Sequence, residues 1–246
     1  MRVGRRRGCG INAIDRGHPR KFRAYGLVGW WNVLYISSFN ASKPITFTDL
    51  FGGGRDATQA TDANRGTYQA TGWNNRPCVD FGADGLKGYT TANVTVGVQT
   101  MIAVVQGISN SQYCMTHNAD DNYIFSNAGA SIRANRGATS SQKAVSATWI
   151  RDSVKKQVAR TFDGTNAGHL AYVNAVDQNA TDIPTVGNPG TGTVNGPIGL
   201  GCVAGLTLGF RGLGCEWMMY SVPMTGPLSP LRRIFNRQRA LWPMPG

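Results

Sequence analysis

Apolar positions along this chain alternate over short spans, and each span ends at a cluster of glycine, asparagine or aspartate. Ile45 and Phe47 open one span, Leu50–Phe51 close it, and Gly52–Gly54 follow as a tight polar connector. Side chains on a strand point alternately to opposite faces, so this rhythm predicts half-buried strands. Tyr25–Phe39 is dense in strand formers and predicts the first one or two strands, with Trp30 and Trp31 on opposite faces. One should enter the core and the other should face a neighbour or solvent. Asp56–Gln59 and Ala60–Arg65 read as solvated loop, and Pro77–Phe81 as a short strand. The unbroken run Met101-Ile102-Ala103-Val104-Val105, within Thr100–Val105, predicts a central strand.

Tyr113–Met115, Tyr123–Ser126 and Ser131–Asn135 follow at even spacing. In the last, Ile132 and Ala134 share one face, and Ser131, Arg133 and Asn135 the other. Trp149-Ile150 and Val154–Phe162 come next, with Val158, Arg160 and Phe162 opposed to Gln157, Ala159 and Thr161. Asp163–His169 predicts a turn and Leu170–Val173 the returning strand. Asp182–Pro197, rich in glycine and proline, reads as a loop long enough to bear contacts. Leu206–Phe210 and Glu216–Tyr220 predict the last strands. Ser229–Trp242 is the one helix: Ser229 as N-cap, Pro230 at the first helical position, and Leu231, Ile234, Phe235 and Leu241 as its apolar stripe. Arg237 and Arg239 suit the C-terminal end of the helix dipole. Short strands between polar turns, closed by one helix, predict an all-β sandwich.

Composition supports that reading. The 32 glycines, 11 prolines and 15% charged residues suit a turn-rich β protein, and 246 residues suffice for a self-sustaining core. Five scattered cysteines with no C-x-x-C pair argue against a disulfide framework or a zinc site, leaving buried reduced thiols. The basic N-terminus is not followed by an apolar stretch, so no signal peptide is expected, and no run is long enough to span a membrane.

The net charge of +12 is unevenly placed. Residues 1–24 form a basic arm carrying Arg2, Arg5, Arg6, Arg7, Arg16, Arg20, Lys21 and Arg23 against the single acid Asp15. Four further arginines lie in residues 231–239, and the rest of the chain is nearly neutral. The arm has too few apolar residues to order itself by burial, so a partner surface is expected to hold it. Phosphate and carboxylate surfaces both attract such an arm, so a protein partner and nucleic acid both stay open.

Three segments carry a resemblance. The glycine turn leading to Arg55-Asp56-Ala57-Thr58-Gln59, followed by Arg76-Pro77, Val79 and Phe81-Gly82, is the first. Phe162-Asp163-Gly164 ahead of Tyr172-Val173-Asn174 is the second, and Gly214–Tyr220 before the terminal helix the third. Together, over roughly residues 27–242, they resemble laminin G-like jelly-roll domains of the concanavalin A-like lectin/glucanase superfamily, of the kind common in bacterial and bacteriophage surface proteins. The resemblance implies a concanavalin A-like jelly-roll sandwich over residues 25–246. It also implies a return strand ending at Asn-Gly, where this chain has Asn174-Ala175.

The candidate sites follow from these expectations. Glucanases of the superfamily carry paired carboxylates, and glycoside hydrolysis needs two. This chain has one glutamate, Glu216, and no acid within 30 residues of it, so no hydrolase is expected. No nucleophile elbow is present, and Cys114 three residues from His117 makes no dyad. Laminin G-like domains often hold calcium; Asp120-Asp121-Asn122 and Asp163-Gly164-Thr165-Asn166 offer hard oxygen ligands, although turn chemistry also accounts for them. Sugar recognition would draw on Trp73, Asn74 and Asn75 in one loop and on Tyr123, Arg133 and Asn135 on strands; a Trp73 folded back onto the core is the competing reading. The expectation is therefore a non-enzymatic bacteriophage structural protein of head, tail or fibre. It would be assembled in the host cytoplasm into an oligomeric virion and held to other virion proteins by its arm. The alternative is a carbohydrate-binding module for a host surface glycan.

Overall fold

The computed structural model describes residues 26–108, 113–118, 122–124, 131–136, 139–145, 152–178, 181–182, 188–203, 209–225 and 230–244. The basic arm, Asp120, Asp121, the cap Ser229, residues 149–150 and most of the expected strand Leu206–Phe210 lie outside them.

The described residues form two antiparallel sheets packed face to face. The first holds β1 (Leu27–Asn32), β5 (Thr67–Trp73), β6 (Arg76–Asp80), β8 (Gln99–Gly107), β13 (Lys156–Phe162), β14 (Leu170–Val173), β15 (Val176–Asp177) and β18 (Gly212–Tyr220). Its order is β15-β14-β13-β8-β18-β6-β5, and β1 also pairs with β18. The second holds β2 (Ile36–Asn40), β3 (Lys43–Phe47), β4 (Ala57–Thr58), β7 (Tyr89–Val96), β9 (Met115–His117), β10 (Asn122–Ile124), β11 (Ser131–Arg136), β12 (Thr139–Ala144), β16 (Thr181–Asp182) and β17 (Val194–Leu200). Its order is β16-β12-β11-β10-β9-β17-β7-β4-β3-β2. This is an all-β, concanavalin A-like sandwich, and one α-helix, α1 (Pro230–Leu241), accompanies it among the described residues.

Alternation decides what each sheet buries. The main core lies between the sheets and takes Trp31, Phe47, Phe81, Tyr89, Val104, Val158, Trp217 and Met219. A second core lies on the outer face of the first sheet. There Leu27, Trp30, Ile102, Ala159, Met218 and Tyr220 meet Leu231, Ile234 and Phe235 of α1. The first sheet is therefore backed by the helix, and among the described residues no helix covers the outer side of the second, the open sheet. Trp30 and Trp31 divide as alternation requires: Trp31 enters the main core and Trp30 faces the helix.

Four expectations change. Asp56–Gln59 is not solvated loop, because Ala57 is buried and β4 bridges β3 to β7. The end of the Asp182–Pro197 loop is strand β17, which pairs with both β7 and β9; its bulge follows Pro197, whose ring nitrogen cannot donate to a ladder. Arg237, expected only to complement the helix dipole, is buried and paired with Glu216. At Asn174-Ala175, where the resemblance implies Asn-Gly, φ is 50° and 71°, so the two-residue turn forms with alanine in a left-handed conformation.

Candidate functional site

On the open sheet, strand registers bring one residue from each of nine strands into a single cross-strand row. Gln142 on β12 opposes Arg133 on β11, Arg133 opposes Tyr123 on β10, and Tyr123 opposes Thr116 on β9. Thr116 opposes Gly199 on β17, which opposes Thr90 on β7. Thr90 opposes Thr58 on β4, then Thr46 on β3, then Ser38 on β2. The flanking positions Ile132, Ile124, Met115, Leu200 and Tyr89 all point into the core, so this row lies on the outer face. It contains no aliphatic side chain and no carboxylate.

The middle of the row is covered. Thr116 donates its hydroxyl to the Cys202 carbonyl at 2.8 Å, so the chain leaving β17 folds back across the sheet. Gly199 makes room for it: a Cβ there would sit 2.3 Å from the Cys202 oxygen. Val203 then packs with Tyr113 and Tyr123, whose rings meet edge to face at 5.1 Å. The row is left with two accessible ends, a hydroxyl run over Thr90, Thr58, Thr46 and Ser38, and a constellation around Arg133.

That constellation is built from three strands. The Gln142 amide donates to the Ser131 hydroxyl at 3.1 Å and to the Tyr123 hydroxyl at 3.3 Å, and these two hydroxyls lie 3.4 Å apart. Tyr123 and Ser131 are buried, while Arg133 and Gln142 are half-buried. The Arg133 side chain has no hydrogen-bond or ion-pair partner among the described residues, and its Nε is buried. Alternation along β10 and β11 points to Tyr123 and Arg133 from sequence, and the structure makes them cross-strand neighbours. Tyr123 is almost wholly buried, so it offers no open ring face and its hydroxyl braces the Gln142 amide. Asn135 lies two residues along β11 from Arg133, opposite Ser140. Gln142 is not legible as a site residue, because Thr139–Ala144 has no apolar rhythm to announce a strand; Ser131 shares the face read for Arg133 but gains its role only from its bond to Gln142.

The other sugar candidates are elsewhere. Asn74 and Asn75 form the two-residue turn between β5 and β6, with φ of 47° and 62°, on the edge of the helix-backed sheet. Asparagine tolerates that conformation better than most residues, so the turn explains both amides. Trp73 is fully buried and offers no platform. Lys155 lies over its ring at 5.3 Å and donates to Asn74 Oδ1, while Asn74 Nδ2 donates to the Pro243 carbonyl.

Glu216 is equally committed. Its Oε1 accepts from Trp30 Nε1, Asn32 Nδ2 and Arg237 at 2.8, 2.9 and 2.8 Å, and its Oε2 accepts from Gln238 at 3.1 Å. Burial pushes the carboxyl upward, but the Arg237 charge and these donors outweigh it and hold Glu216 below the usual carboxylate range. The Asp163 carboxylate closes its own turn, accepting from Thr165 N and Oγ1, and Asn166 Oδ1 accepts from Ser141. Among the described residues no group of three or more His, Cys, Asp or Glu side chains is placed to hold a metal. Cys78, Cys114, Cys202 and Cys215 are free and buried; burial pushes the Cys78 thiol up to about 11 and the Cys202 thiol to about 12. Neither is a thiolate nucleophile near neutrality.

No known protein-family model matches the chain, and neither does any curated protein sequence. Solved structures do share the fold. The Trypanosoma rangeli sialidase in complex with 2,3-difluorosialic acid aligns over 87% of this chain and 33% of its own at 15% identity, with a TM-score of 0.52. The same sialidase with 2,3-difluoro-KDN aligns over the same shares at 17% identity and 0.52. A GH54 α-L-arabinofuranosidase soaked with 4-nitrophenyl α-L-arabinofuranoside aligns over 81% of this chain and 51% of its own, at 15% identity and 0.51. This chain thus spans a third to a half of these proteins, and the likeness is one of β-sandwich fold.

Proposed function

We propose that the chain is a carbohydrate-binding module that recognises a glycan at the Arg133 end of the open sheet's outer face. The observation that carries this is the Gln142 amide, held in place by the buried hydroxyls of Tyr123 and Ser131, beside the Arg133 guanidinium, which has no partner among the described residues. Sugars are bound through planar and hydroxyl hydrogen-bonding groups held on rigid elements, and this one stands on three strands. The solved structures of the same fold come from proteins whose ligands are sugars or sugar analogues, which supports the reading. Binding without hydrolysis is proposed, because the chain's one glutamate is locked between sheet and helix.

A role as a virion component stays an expectation, since the arm on which it depends lies outside the described residues. The test of the binding reading is a glycan array probed with the whole chain, followed by titration of each hit against Gln142→Ala and Thr58→Arg. Removing the Gln142 amide should weaken binding about tenfold, the scale of one or two lost hydrogen bonds. Thr58→Arg, at the far end of the row, should leave a short oligosaccharide unaffected. Binding that is absent from the wild-type chain, or indifferent to Gln142→Ala, overturns the proposal.

A further inference from the structure

Arg133 differs from the other buried and half-buried arginines whose side chains are described. Arg55 donates to the Val28 carbonyl, and Arg65 to Gln59, Ala60 and Asp62. Arg160 donates to His169, Arg211 to the Asp84 carbonyl and Arg237 to Glu216. Arg133 alone among these donates to nothing. Its Nε is buried without an acceptor, and its cross-strand neighbours, Tyr123 and Gln142, are uncharged. A guanidinium cannot shed its proton to relieve such a position, because it stays charged at every pH a protein survives. No partner for this charge is found among the described residues.

We infer that its partner is a carboxylate on the bound sugar: the site selects an acidic glycan, a sialic acid or a uronate, and Arg133 reads the charge. The inference rests on the carbohydrate-binding reading above and adds the class of sugar to it. A planar fork of N–H donors matches a carboxylate with two parallel hydrogen bonds, which a neutral hydroxyl cannot provide. Gln142 Nε2 is occupied by Tyr123 and Ser131, which leaves its Oε1 to accept from a sugar hydroxyl beside the carboxylate. No carboxylate stands in the nine-residue row to repel the ligand.

The experiment compares matched pairs by calorimetry: sialyllactose against lactose, and a galacturonate oligomer against its carboxyl-reduced form. Which pair binds identifies the sugar. The acidic member should bind at least tenfold more tightly at low salt, and the margin should shrink as salt rises. Arg133→Gln should abolish the margin between the acidic and neutral members, and Arg133→Lys should restore part of it. A melting curve for Arg133→Gln no lower than wild type confirms that the fold is intact. Equal binding of acidic and neutral members, or a margin that survives Arg133→Gln, overturns the inference while leaving the sugar-binding reading standing. Failure of the chain to bind any glycan overturns both.

Discussion

At the scale of single residues, the pair Glu216–Arg237 shows how a charge becomes a structural bolt. Glu216 projects from the outer face of β18 and Arg237 from the inner face of α1, and Arg237 also lies over the Trp30 ring at 5.0 Å. Breaking such a pair from one side leaves a buried charge alone, which costs about 3–5 kcal/mol. Glu216→Gln should therefore lower stability by that order in urea unfolding. Replacing both partners, as Glu216→Leu with Arg237→Met, should cost much less than the sum of the single changes, because no orphan charge remains. A double-mutant cycle that gave simple additivity would show that the two side chains do not act as a pair.

The same carboxylate sets a pH dependence. Its folded pKa lies below its unfolded value of about 4.3, so the folded state binds its proton less readily than the unfolded chain. The stabilisation is full above the unfolded value and is lost as pH falls through the folded one. Urea midpoints of wild type measured from pH 7 down to pH 3 should decline more steeply than those of the Glu216→Leu, Arg237→Met double variant.

At the scale of elements, the hairpins separate what sequence spells out from what it leaves to context. The β5–β6 turn uses Asn74-Asn75 and the β14–β15 turn Asn174-Ala175, all four residues with positive φ. Alanine in that region carries a steric cost of roughly 1–2 kcal/mol that glycine avoids. Ala175→Gly should therefore raise stability by about 1 kcal/mol, read as a later denaturation midpoint; a loss would mean that the turn relaxes in solution. Strand β8 and helix α1 announce themselves, the first by an unbroken apolar run and the second by a stripe at helical spacing. Strands β7, β12 and β17 do not. Thr90, Gln142, Asn195 and Pro197 are polar or ladder-breaking, and these segments become strands because neighbours on both sides supply hydrogen-bond partners. The site shares this divide. Tyr123 and Arg133 stand out by alternation on short strands, whereas Gln142 and Ser131 gain their meaning only from register. Trp73 misleads because the asparagines beside it serve a turn, not a ligand.

At the scale of the whole molecule, the two sheets are finished differently. The helix-backed sheet has apolar side chains on both faces and depends on α1 for its outer cover. The open sheet presents hydroxyl, amide and guanidinium groups and has no helix over it among the described residues. Exposed side chains on the outer face of the open sheet can therefore vary without touching either core, while those under the helix cannot. Burial of Leu231, Ile234 and Phe235 contributes roughly 1.5–3 kcal/mol each, a sum comparable to the net stability of a typical domain. Ending the chain before residue 230 would remove these contacts, bare Trp30, Met218 and Tyr220, and strip the Arg237 and Gln238 donors from Glu216. Such a chain should lose its cooperative melting transition and associate through the exposed sheet, as measured by light scattering. Recovery of a monomeric, cooperatively melting protein would show that the outer core is dispensable and that the sandwich stands on its inter-sheet packing alone.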